Sequence, residues 1–128
     1  MHHKEVIVSD KAPQAIGPYS QGIRINNLVF TAGQLGIDRS TGNLIMGGIE
    51  AATHQALTNI QYILESAGTS LLNVIKTTVY LRDMQDFAVM NEVYSTFFKS
   101  NPPARSTIQV AALPKSGSVE IEAIAILP

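Results

Sequence analysis

Val119-Glu120-Ile121-Glu122-Ala123-Ile124-Ala125-Ile126-Leu127 alternates its side chains with the two-residue period of a β-strand. Val119, Ile121, Ala123, Ala125 and Leu127 point to one face, which is apolar throughout and calls for a covering layer. Glu120, Glu122, Ile124 and Ile126 point to the other. If helices cover the first face, the two isoleucines on the second still need a partner. In so short a chain, the expected partner is a copy of the same sheet.

Upstream, Leu113-Pro114-Lys115-Ser116-Gly117 separates this strand from another, spanning Arg105 to Ala111. Asn101-Pro102-Pro103 ends a helix that carries Phe87, Met90, Val93, Tyr94 and Phe97 on one face, with Asp83 or Asp86 as its cap. Val74 to Leu81, rich in Val, Ile, Thr and Tyr, predicts a strand before it. The best-marked element begins at Ile49. Its apolar residues Ala52, Ala56, Leu57, Ile60, Ile63, Leu64 and Ala67 follow helical spacing, and Gly68 supplies the left-handed stop.

Closer to the start, Asn26-Asn27 reads as a two-residue hairpin between Gly22–Ile25 and Leu28–Gln34, because Asn tolerates positive φ. Val6-Ile7-Val8 is a short first strand, and Lys11 to Tyr19 is a loop whose prolines forbid a helix. Asp38 to Asn43 is turn chemistry. Strands, helix, strand, helix, strands predicts an α+β fold: a mixed β-sheet with two helices packed on one face. No repeat, linker or low-complexity tract interrupts it, so residues 1–128 form one domain.

Charged residues make up 15% of the 128, against about 25% in ordinary soluble domains, which again argues for surface buried between copies. The net charge is −1, and no segment clusters Lys and Arg, so the footprint of a nucleic-acid binder is missing. Cysteine is absent, which excludes disulfides, thiolate metal sites and thiol nucleophiles. His2 and His3 stand at the start and His54 alone on a helix, without chelating spacing. No cofactor or phosphate-loop pattern is present, which favours chemistry that needs only water. No apolar run suits a signal peptide or a membrane span, so the expected location is the cytosol.

Arg105 stands at the entrance of a strand behind a rigid Pro-Pro-Ala, without a local carboxylate. A solvated Arg is the plain alternative, but a guanidinium fixed in this way suits bidentate carboxylate capture. Thr107 and Gln109 share its face, while Ile108 and Val110 take the other. Glu120 is its natural companion if a hairpin from Ala111 to Val119 pairs the two strands. A charged edge residue, or a salt bridge to Arg105 itself, explains Glu120 equally well, and Glu122 competes for any role. Tyr19 packs over a small ligand or merely plugs its loop, and Asn91 is a ligand contact or a bridging amide on its helix.

Lys11-Ala12-Pro13, Ala15-Ile16-Gly17-Pro18-Tyr19-Ser20-Gln21 and Gly33-Gln34 together resemble the N-terminal signature of the RidA (YjgF) family. Val74-Ile75-Lys76-Thr77-Thr78-Val79 and Asn91-Glu92-Val93-Tyr94 resemble its middle. Pro103-Ala104-Arg105-Ser106 and Val119 to Ala125 resemble its C-terminal signature. The likeness runs from about Lys11 to Ala125. It implies a chorismate-mutase-like fold, a homotrimer whose sheets form a central barrel, and ligand sites between subunits. It also implies deamination of 2-iminobutanoate and 2-iminopropanoate. Arg105 would bind the substrate carboxylate and Glu120 would handle water, with Tyr19, Gly33, Asn91 and Thr107 lining the pocket. Two positions depart from the family pattern: Ala32 replaces a common Ser, and Thr107 replaces a common Cys. Two rivals stay open, a non-catalytic trimeric sensor of small carboxylates and, less supported, a ribonuclease or translation inhibitor.

Overall fold

Strand β7, Val119–Ile126, runs through the middle of the sheet in a computed structural model that describes residues 3–128. Around it stand β1 (Glu5–Ile7), β2 (Gly22–Ile25), β3 (Leu28–Thr31), β4 (Gln34–Leu35), β5 (Val74–Leu81) and β6 (Ala104–Gln109), with helices α1 (Gly48–Ser66) and α2 (Phe87–Phe97). The spatial order is β1-β2-β3-β7-β5-β6, with β4 continuing the β3 edge along β7. Among the described strands only β5 and β6 run parallel. They are joined through α2, the crossover that a parallel pair requires.

The α+β fold with both helices on one face is as the sequence predicts. Val119, Ile121, Ala123 and Ala125 are buried beneath the helices, as are Leu57, Ile60, Ile63 and Leu64 on the stripe of α1. Each fully buried Leu or Ile stabilises the fold by about 1.5–3 kcal/mol relative to an exposed one. Gly68, with φ 89, ends this helix region as expected. Asn26, with φ 53, makes the turn between β2 and β3. Asp83 caps a short 3-10 turn, Met84–Asp86, that leads into α2, its carboxylate accepting from the Gln85 amide at 2.9 Å.

The expected hairpin between the last two strands does not form. β6 follows β5 by the parallel crossover, and β7 takes β5's other edge, so β5 lies between them. The connecting segment passes over the end of β5, where the Val110 amide donates to Leu81 O at 2.9 Å and the Arg82 amide to Ser118 O at 3.0 Å. The second arm of the first hairpin is also shorter than expected. It breaks after Thr31, and β4 resumes at Gln34.

That break is a bulge. Phe30 opposes Ile124 but Gln34 opposes Ile121, so the β3–β4 edge holds one residue more than β7 does. The Thr31 hydroxyl accepts from the Ala123 amide at 3.0 Å and fills the gap in the ladder. Buried Asn59 on α1 donates to Leu35 O at 3.3 Å and Ile37 O at 3.0 Å, fixing β4 and its exit against the helix.

Candidate functional site

Gly33 sits in the bulge and directly faces Glu120. A Cβ at position 33 would lie 2.8 Å from Glu120 Cδ and 3.0 Å from its Oε2, so only glycine leaves the carboxylate room to lie there. Glu120 is half-buried, and its carboxyl is held above the ordinary 4.5, first by burial and then by the neighbouring charge of Glu122. Tyr80 opposes Glu120 across the β5–β7 ladder. Burial raises its phenol above 10.0, followed by the charge of Glu122, a hydrogen bond to Glu122 and the charge of Glu120, while a hydrogen bond with Thr78 pulls the other way.

Glu120 and Gly33 open into a cleft of about 740 Å³ that Tyr19, Ala32, Arg39 and Lys115 also line. Tyr19 is not a buried plug for its loop: the residue is 54% exposed, and its hydroxyl accepts from the Ile16 amide at 3.4 Å. The loop is held instead by buried Gln21. Its Oε1 accepts from the Ser9 amide at 2.6 Å, and its Nε2 donates to Ser9 O and Pro13 O at 3.1 and 2.7 Å.

Arg105 lies elsewhere in the chain. It pairs with Thr77, whose side chain is buried under α2, whereas Glu120 pairs with Tyr80 on the uncovered face. Arg105 and Glu120 are therefore on opposite faces of the sheet with β5 between them. The guanidinium rests on two rings of α2, 4.7 Å from the centroid of Tyr94 and 5.6 Å from that of Phe87. Tyr94 is fixed in turn by a 2.7 Å hydrogen bond with Thr77. Burial raises its phenol above 10.0, against lowering by the Thr77 bond and the Arg105 charge. Asn91 stands four residues after Phe87 and three before Tyr94, on the same helical stripe. Thr107, two residues along β6, points to the Arg105 face, and its buried hydroxyl has no hydrogen-bond partner.

The predicted residues thus fall into two groups. Arg105, Asn91 and Thr107 gather where α2 meets β6, and Tyr19, Gly33 and Glu120 line the cleft across the sheet. Sequence reasoning missed Tyr80, Arg39 and Lys115. The alternation of Val74 to Leu81 does place Tyr80 opposite buried Val79 and Leu81, a signal that was available. Nothing in the sequence links Arg39 to Lys115. A second groove, of about 680 Å³ between α1 and α2, is lined by Glu50, His54 and Glu92 and holds none of the predicted residues. His54 packs edge-on to Phe97 at 5.1 Å. Among the described residues no group of three or more His, Asp or Glu side chains is arranged to hold a metal, and His2 lies outside them. No described helix is long and apolar enough to cross a membrane.

Known proteins resemble this chain along nearly its whole length. A RutC family protein of Pyrococcus horikoshii is 55% identical over 95% of this chain and 97% of its own. The human 2-iminobutanoate/2-iminopropanoate deaminase is 50% identical over 96% of this chain and 90% of its own. The crystal structure of Escherichia coli TdcF with bound serine superposes with a TM-score of 0.93 at 41% identity, covering 97% of this chain and 99% of that one. The description of the family Endoribonuclease L-PSP matches residues 9–127. With that match and these full-length relatives, the chain belongs to the Endoribonuclease L-PSP family, the YjgF/RidA family whose signatures its sequence carries.

Proposed function

We propose that this protein hydrolyses 2-imino acids, 2-iminobutanoate and 2-iminopropanoate among them, to 2-oxo acids and ammonia in the cytosol. The observation that carries the reaction is the 50% identity with the human deaminase over 96% of the chain. Serine bound to the 41% identical TdcF supports a ligand of amino-acid shape.

The residues fit the chemistry. An imine carbon is already electrophilic, so the protein must orient it, place a water and carry a proton. Arg105 grips the substrate carboxylate with its two-pronged guanidinium, backed by the rings of Tyr94 and Phe87. Glu120, as a carboxylate, takes a proton from the water as its oxygen bonds to the imine carbon. The C=N π electrons move to nitrogen. The proton then passes from Glu120 to that nitrogen, giving a carbinolamine; Glu120 next relays the proton of the new hydroxyl to the same nitrogen, so that the C=O forms as the C–N bond breaks and ammonia leaves. Water is the only co-reactant, and no cofactor enters the balance.

Because Arg105 and Glu120 lie on opposite faces, one chain cannot apply both to one substrate. The site is completed when the Arg105 group of one copy meets the Glu120 cleft of the next, in a homotrimer. The uncovered face supports that assembly. Ile124 and Ile126 stay half-buried beside Phe30, which is 38% exposed, and Ile108 on the same face is 46% exposed. Charged residues at 15% give this surface little else to meet water with.

A ribonuclease reading has the family description behind it and similar solved structures described as putative endoribonucleases. Neither residue group contains a histidine, and no basic stripe crosses the chain. The test is ammonia release from freshly generated 2-iminobutanoate, measured against the uncatalysed rate. Acceleration that Arg105→Ala abolishes supports the reading. Carboxylate binding without acceleration makes the protein a sensor instead.

A further inference from the structure

We propose that Tyr80 is a positioning residue for the imine hydrolysis: its phenol engages the carboxylate of Glu122, and this pairing leaves the carboxylate of Glu120 free to handle the water and its proton. The proposal rests on the deaminase reading and deepens it, by separating the roles of two glutamates that share one strand face.

The register of the sheet builds the cluster. On the uncovered face Tyr80 stands opposite Glu120 and Thr78 opposite Glu122, so Tyr80 is also the diagonal neighbour of Glu122. A phenol reaches both positions but has one proton to donate. Glu120 leans the other way, over the bulge, where Gly33 makes room for its carboxylate. The Tyr80 hydroxyl bonds to Glu122, with Thr78 on its oxygen, whereas Glu120 acts on it through charge alone. Burial, ahead of the charge of Glu122, holds the phenol above 10.0, so it stays a donor. Among the described residues none donates a hydrogen bond to Glu120, whose carboxyl is shifted by burial and then by the charge of Glu122. A carboxylate with open lone pairs suits a base, and a tethered one does not.

The surrounding charges leave this division intact. Lys76 shares the face with Glu122, but its Nζ donates to Ser106 Oγ at 3.1 Å, on the β6 side. Arg39 and Lys115 line the Glu120 cleft with Tyr19, held by Asp10 O at 3.0 Å and Gly42 O at 3.3 Å. Asp38, next to Arg39, accepts from the Ser40 amide and hydroxyl at 2.9 and 2.8 Å. In the proposed trimer Arg105 of the next copy approaches Glu120 as well. Tyr80, Thr78, Glu120 and Glu122 all belong to β5 and β7 of one chain, so a second copy adds partners to them without separating them.

The experiment follows the acid limb of kcat/KM for 2-iminobutanoate in wild type, Tyr80→Phe, Glu122→Gln and the double variant, with sedimentation checking that each assembles as wild type does. Tyr80→Phe keeps the ring and loses the donor, so Glu122 swings away and its charge weighs less on Glu120. The limb should move to lower pH. The step should be smaller than that of Glu122→Gln, itself on the order of half a pH unit for one charge a few ångströms away in a solvated setting. The double variant should show no shift beyond that of Glu122→Gln alone. A role confined to packing would leave the Tyr80→Phe limb in place. An unmoved limb, or a further shift in the double variant, overturns the proposal. An upward shift overturns it too, because the phenol would then serve Glu120. Carbon NMR titration of the glutamate carboxyls, with Glu120 identified by its loss in Glu120→Gln, reads the same shift without turnover. Absence of imine turnover overturns the deaminase reading and with it the catalytic role, while the NMR shift still decides the pairing of Tyr80 with Glu122.

Discussion

The two faces of β7 differ in what completes them. Val119, Ile121, Ala123 and Ala125 are closed off by helices of the same chain, and the result is an ordinary core. On the other face Glu120 and Glu122 share the strand with half-buried Ile124 and Ile126, and no helix among the described residues covers them. The covered face finishes the fold. The uncovered face holds half of the proposed site, and the other proposed half, around Arg105, is turned away on the helix side. On the proposed reading, a small domain that divides its chemistry in this way depends on assembly for function and not for folding.

Substitutions on the two faces should therefore fail differently. Ile60→Ala, in the core above the covered face, should cost about 2–5 kcal/mol of unfolding free energy, read as a lower denaturant midpoint. Phe30→Asp, on the uncovered face, should keep the far-ultraviolet circular dichroism of the fold while sedimentation shows the trimer dissociating. If Phe30→Asp instead unfolds the chain with the assembly, the separation between the faces does not hold. Next in size is Arg105→Ala, expected to lower kcat/KM on the order of tenfold to several hundredfold, with Arg105→Lys recovering little because one ammonium cannot replace the fork.

Gly33→Ala sharpens the comparison within the cleft. The new methyl must displace Glu120, because it would stand 2.8 Å from Cδ. Turnover should fall about tenfold, since misplacing a reacting group is costly even when the fold survives. The melting temperature should move little, because the far half of a Glu side chain can swing away.

The smallest effect concerns pH. In the proposed mechanism Glu120 acts as the ionised base, and burial, then Glu122, hold its carboxyl above 4.5. Activity should therefore fall as pH drops through a value higher than an ordinary carboxylate's. Glu122→Gln removes the like charge, so Glu120 ionises more readily and the acid limb of kcat/KM should move to lower pH. Burial, the larger cause, remains, so the limb should stay above 4.5. A limb that moves upward would contradict the assignment of Glu120 as the base.

What was legible in the sequence was periodic or local. The stripe of α1, the alternation of β7, the Asn26-Asn27 turn and the two-faced last strand all follow from side chains a few residues apart. Strand order was not legible in the same way. Consecutive strands are neighbours in only about two thirds of cases, and the pairing of β6 with β7 was the natural wrong choice. The Val74–Leu81, α2 and Arg105 sequence did contain the strand–helix–strand pattern of a parallel crossover, which places β6 beside β5 instead. With that order settled, Arg105 falls under α2 and away from Glu120. Arg105, Glu120, Tyr19 and Asn91 stand out by local context and Gly33 and Thr107 by motif resemblance, and their division into two groups follows from topology alone. Arg39 and Lys115 escaped notice because a cleft between distant loops leaves no spacing to read.

The central claim is that one copy's Arg105 works with another copy's Glu120. It is tested most directly by mixing two disabled variants, Arg105→Ala and Glu120→Gln, and refolding them together. Random assembly with sites between adjacent copies should restore about a quarter of the sites, and activity should rise well above that of either variant alone. A refolded mixture no more active than its parents, in trimers shown to contain both chains, would contradict the claim.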